Sequence, residues 1–221
     1  MKTNHSPFVA ALLVSISIAG SLSACAQATS GVAMSGGART SAPAQQDPNK
    51  TALVLPMRQM TDRLSKLQAT GDPDFDYAFQ AKIHAQGEQE LLKKELQMGK
   101  DSTLKNMAQS LMPALESDIA LIDGTMRQVK PTRPNQAFTQ QQDRNVKAMA
   151  LKFQAGGTTE SKMTGNIDDN FAAVLLEHRQ DAIDLAKTYL QYGKNDALKA
   201  YAQSLITKAG QEMSQLKKSI K

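Results

Sequence analysis

GDPDFDYAFQAKIHAQGEQELLKKELQMGK, Gly71 to Lys100, sets the reading of the chain because it comes back as GNIDDNFAAVLLEHRQDAIDLAKTYLQYGK, Gly165 to Lys194. The offset is constant and gapless: His84 and His178 are 94 residues apart, and so are Gly99 and Gly193. Each stretch carries apolar residues at three- and four-residue steps, which predicts a long helix ending at the glycine. Each is followed by a second helical pattern, so the repeated unit is a helical hairpin. A period this long is not that of a solenoid. Two hairpins, each with a shorter helix in front, predict an all-α, up-down helical architecture, either one pseudo-symmetric bundle or two small bundles in tandem.

Composition agrees with a helical fold. The 221 residues include no Trp and only 5% aromatics, with 41% hydrophobic residues dominated by helix formers. The formal net charge of +5 is spread along the chain, with no run of Lys and Arg that would track nucleic acid. No Ser–His–Asp set, cysteine nucleophile or glycine-rich phosphate loop is visible, and the sequence is read as that of a non-enzyme.

The N-terminal region is of a different kind. Residues 1–24 read as an export signal: Lys2 and His5 precede a mostly apolar run from Phe8 to Ala19, too short to span a bilayer. It leads into Leu22-Ser23-Ala24-Cys25, which resembles the lipobox of bacterial lipoproteins. Cys25 is therefore expected to be the lipidated first residue of the mature chain; ordinary cleavage nearby, after Ala26 for example, is the other reading. Cys25 has no partner for a disulfide. Ala26 after it, by the sorting pattern of such lipoproteins, points to the periplasmic side of the outer membrane. Residues 25–50 are small and polar and read as a disordered tether, spanning on the order of 25–30 Å. The first repeat unit is expected over 51–129 and the second over 136–221. Within the first, a leading helix is predicted from Leu53 to Leu67, with Pro56 in its first turn.

The hairpins point to candidate site residues. On the second long helix Phe171, Val174, Leu175, His178, Ala182, Leu185 and Tyr189 form one inward stripe. The matching stripe of the first copy, Tyr77, Ala81, His84, Glu88, Leu91 and Glu95, is more polar. The helix that follows the second copy has Glu212 on an otherwise apolar face, and Asp118 is its counterpart 94 residues earlier. Counting from the hairpin turns at about 1.5 Å per residue puts His178 level with Glu212, and His84 level with Asp118. Two His–carboxylate pairs are predicted. They fit either a metal site at one level of a bundle or two buried polar pairs that brace the core.

The same residues carry a family likeness. GDPDFDYAFQAKIHAQGEQELL with LQMGKDSTLKNMAQSL, and its second copy, resemble the ferritin-like family called domain of unknown function 305. Gly71, Asp72, Asp74, Asp76, His84, Gln86, Gly87, Gly99, Lys100 and Asp101 carry the likeness in the first copy. Gly165, Asp168, Phe171, His178, Gln180, Ala182, Ile183, Gly193, Lys194 and Glu212 carry it in the second. The resemblance implies a helical bundle in exported bacterial proteins, some linked to copper or other metals. The family's paired histidine is single here, with Ala85 and Arg179 in the second position. Two functions follow: an envelope protein that binds copper or a related metal through His84, Asp118, His178 and Glu212, or a structural or interaction bundle whose metal site has degenerated. The only membrane contact expected is the lipid anchor.

Overall fold

The computed structural model describes residues 47–219. Seven helices make up its regular structure: α1 (Pro48–Ser65), α2 (Pro73–Met98), α3 (Ser102–Met126), α4 (Gln136–Phe153), the single turn α5 (Thr158–Ser161), α6 (Ile167–Tyr192) and α7 (Asp196–Ser219). No strand occurs among the described residues. The fold is all-α, as the periodicity predicts. Cys25, the export signal and all but the end of the tether lie outside the described residues. No described helix is long and apolar enough to cross a membrane.

The 94-residue period is visible in the helices: α2 and α6 are both 26 residues long and begin at equivalent positions. Their starts are built alike. Asp72 accepts a hydrogen bond from the Phe75 N–H, and Asn166 accepts from the Asp168 N–H, so each helix opens on a side chain that satisfies an otherwise orphaned donor. One turn further on, Asp76 and its counterpart Asn170 reach back to the N–H groups of Thr70 and Thr164. The loop before each long helix is thereby fastened to the helix it feeds.

α2 and α6 pack against each other at the centre. Asp74 near the start of α2 bonds the turn beyond α6, and Asp168 near the start of α6 bonds the turn beyond α2, so the pair is antiparallel. α3 packs on α2 and α7 on α6, while α1 and α4 pack on each other, with α1 against both central helices and α4 against α6. The two repeats thus share one core. Leu53, Met57, Tyr77, Leu91, Phe138, Phe171, Leu175 and Tyr189 are all buried in a single cluster. The expected stripes on α2 and α6 are buried at every position.

The start of the first helix differs from the expectation. α1 starts at Pro48, with Asp47 as its cap and Pro48 in its first turn. The last residues assigned to the tether are therefore helical, and Pro56 lies inside α1 rather than at its start. Two prolines compete for that role, and the one preceded by a capping aspartate takes it. Between α4 and α6, the single turn α5 follows Gly156 and Gly157. α2 and α6 end at Gly99 and Gly193, as the sequence predicts, with φ of −63° and −70°, so neither glycine is a left-handed cap. Gly71 does have a left-handed backbone, φ 83°, and a Cβ there would lie 2.7 Å from Pro134 Cβ. Gly71→Ala should cost at least about 1–2 kcal/mol from the backbone alone, read as a lower urea midpoint at unchanged slope.

Candidate functional site

Halfway along α2 and α6 the two histidines meet. The rings of His84 and His178 stack with centroids 3.8 Å apart and planes 19° from parallel. Both side chains are buried, and no hydrogen bond reaches His84 Nε2 or either nitrogen of His178. Burial, the first cause for each, pushes their pKa well below the usual histidine value; the cations Arg179 and Lys152 add to it, and His84 also feels His178. Both rings are neutral at pH 7.

The acid that faces His178 is Glu88, whose Oε2 lies 3.3 Å from His178 Nε2. Glu88 sits one helical turn after His84 on the buried face of α2. Its main partner is Arg179: Nη1 donates to Glu88 Oε2 at 2.7 Å, and Nη2 lies 2.5 Å from Oε1. Arg179 also reaches the next helix, with Nε 2.6 Å from Glu212 Oε2. One guanidinium therefore bridges two carboxylates from opposite halves of the molecule, the planar fork matching the carboxylate of Glu88. Burial pushes the carboxyls of Glu88 and Glu212 upward, and Arg179 pulls each in the other direction. A buried arginine needs such a partner.

The expected His–acid pairs do not form within the hairpins. Glu212 is at the level of the histidines but is engaged by Arg179, and His178 makes no hydrogen bond to it. His84 makes no hydrogen bond to Asp118. The two share the lining of a small cavity of about 30 Å³, together with Glu88, Arg179, Lys208 and Glu212, which is room on the order of one water. Burial raises the Asp118 carboxyl, with Lys208 opposing. The level was right and the partners were not. Spacing along one hairpin fixes height, but α2 and α6 bring their histidines to each other, and Arg179 takes the acid.

Glu88 and Arg179 are the residues that sequence reasoning passed over as members of the site. The signal for Glu88 was a carboxylate four residues after His84 on an inward stripe. For Arg179 there was none on its own helix, since it follows His178 directly. The repeat supplies one: the equivalents of Arg179 and Glu88 are Ala85 and Ala182, and both alanines line the same cavity. The frame is two-fold, and the charges on it are not.

These residues do not fit a metal ion. Imidazole lone pairs lie in the ring plane, and two nearly parallel rings 3.8 Å apart aim theirs side by side. An ion at about 2.1 Å from a nitrogen of each ring would sit about 1.9 Å out of both planes. Of the carboxylates that could complete the set, Glu88 and Glu212 already hold the Arg179 guanidinium. Among the described residues no group of three or more His, Cys, Asp or Glu is placed to hold a metal.

The second half of the molecule also carries a recognisable sequence. Residues 124–220 match the model of the family described as Domain of unknown function (DUF305). The DUF305 match spans α4 to α7, and so contains His178, Arg179 and Glu212 but neither His84 nor Glu88. No curated protein and no solved structure gave a match.

Proposed function

We propose that this protein is a non-catalytic structural or interaction module of the bacterial cell envelope, lipid-anchored through Cys25, built from two ferritin-like DUF305 units of which the first has diverged further. The observation that supports this reading is Arg179. Its guanidinium lies between Glu88 and Glu212, at the level where a metal ion would need those acids. An internal cation is shared by both acids, and the histidines stack as neutral rings. The site then braces two hairpins instead of loading an ion.

The copper-binding alternative is the one to test against. A Cu(I) competition titration of the protein should show no binding tighter than weak micromolar, and His84→Ala and His178→Ala should leave any residual binding unchanged. Tight binding of one equivalent, lost in both variants, would sink the structural reading. Anchoring is tested separately: labelling of growing cells with radioactive palmitate should mark the wild-type protein and fail to mark Cys25→Ser.

A further inference from the structure

Each long hairpin turn is closed by an aspartate from the other half. At one end Asp74 Oδ1 accepts hydrogen bonds from the N–H groups of Lys194 at 2.8 Å and Asn195 at 3.0 Å, and from the Tyr189 hydroxyl at 2.7 Å. At the other end Asp168 Oδ1 accepts from the N–H groups of Lys100 at 2.7 Å and Asp101 at 2.9 Å. Asp74 and Asp168 are repeat equivalents, and so are Tyr189 and Glu95. The position that supplies the third donor at the first end is held by Glu95 at the second.

The geometry around Glu95 copies that around Tyr189. A Cβ added to Gly193 would lie 2.0 Å from the Tyr189 ring, and one added to Gly99 would lie 2.2 Å from Glu95 Oε1. Both side chains fold back over the glycine of their own turn, which is why each turn needs a residue without a Cβ. Glu95 is fully buried, and no hydrogen bond reaches either of its carboxyl oxygens. An ionised Glu95 could only accept, and would press a second negative charge on Asp168. An un-ionised carboxylic acid carries an O–H and donates, as a phenol does.

We propose that Glu95 is a proton-binding site: a carboxylic acid that stays protonated at neutral pH and, through its O–H to Asp168, latches the α2–α3 turn onto the start of α6, as Tyr189 latches the α6–α7 turn onto α2. The charged groups around it are Asp168 from α6, Asp101 at the cap of α3, and Lys105 on α3. Burial raises the Glu95 carboxyl most, Asp168 and Asp101 raise it further, Lys105 opposes them, and the group is pushed up to about 8. The tyrosine latch stays closed at any physiological pH; the glutamate latch opens when its proton leaves.

A raised folded-state pKa means the folded protein keeps a proton that the unfolded chain releases above the ordinary glutamate range. The latch's contribution is complete below that range and is lost as pH rises to about 8. The test is denaturant unfolding of the full protein from pH 5 to 9, comparing wild type with Glu95→Gln, whose amide N–H donates at every pH, and with Glu95→Tyr. Relative to Glu95→Gln, the wild-type ratio of folded to unfolded molecules should fall by up to about tenfold per pH unit, and the curves should run parallel above pH 8. In wild type, the Glu95 carboxyl carbon should titrate near 8 by NMR, with faster amide exchange at Lys100 and Asp101 above that pH relative to Lys194 and Asn195. A carboxyl carbon that titrates in the ordinary glutamate range overturns the proposal, whether or not the variants fold; so do parallel unfolding curves across the whole range.

Discussion

Arg179→Ala should lower the unfolding free energy by about 3–5 kcal/mol. The reason is what it leaves behind. Glu88 is buried with 2% of its side chain exposed, and without the guanidinium its charge faces only His178 and the cavity. Glu212, at 17%, can turn toward water and loses less. The companion experiment separates a stranded charge from a lost contact. Replacing both partners, as Arg179→Met with Glu88→Leu, removes the charges together and should recover most of the loss, because apolar pairs often do as well as buried ion pairs. Urea unfolding of the wild type and the single and double variants gives the coupling between the two sites. Additive losses, or a single-variant loss under about 1 kcal/mol, would mean that Glu88 does not depend on Arg179 as its counter-charge.

The parts of this fold that are local in sequence could be read from it. A glycine, an aspartate cap and a three-to-four apolar step fix where α2, α3, α6 and α7 run, because capping and burial of a stripe are decided within a turn or two of helix. Height along a hairpin is also local: 1.5 Å per residue carries Glu212 to the level of His178. Which helices face each other is not local. Two helical hairpins with the same stripe can form separate bundles or interlock, and nothing in the 94-residue period chooses between them. Here α2 lies against α6, so a histidine expected to meet an acid on the next helix meets its own counterpart.

Arg179 was hidden for a related reason. A charged residue beside an inward histidine looks solvent-facing when one helix is considered alone, since neighbours in sequence lie about 100° apart around the axis. In a molecule where α6 has α2 on one side and α7 on another, both directions are interior. Arginine can be placed there because its fork has an acid on each of the two helices. Comparing the copies rather than the stripes would have exposed it: where a repeat sets Glu88 against Ala182 and Arg179 against Ala85, a cation and an anion have been placed once each on a two-fold frame, and they reach the same point.

His84→Phe and His178→Phe should each make the protein less sensitive to acid. Both imidazoles are held neutral, chiefly by burial and then by nearby cations, so the folded protein refuses protons that the unfolded chain accepts below its ordinary value of about 6.5. A depressed folded-state pKa gives stability that is complete above that pH and lost as pH falls. Each histidine contributes up to about 1.4 kcal/mol per pH unit, and the two together about 2.7. The raw pH curve hides this, because Glu95, raised to about 8, and Asp181, raised to about 6 by burial against the pull of Lys152, bind protons in the folded state and pull the other way. The difference between wild type and variant cancels those groups. Phenylalanine keeps a ring in the stack and cannot titrate, so any constant packing penalty appears at pH 7.5 and any proton linkage appears as the change on going to pH 5. At pH 5 wild type should have lost about 2 kcal/mol relative to either single variant. Flat difference curves would mean that the histidines take up protons while folded, with Glu88 as the counter-charge. The stacked pair would then be a hydrogen-bonded, cationic contact and not the neutral core that the guanidinium bridge requires.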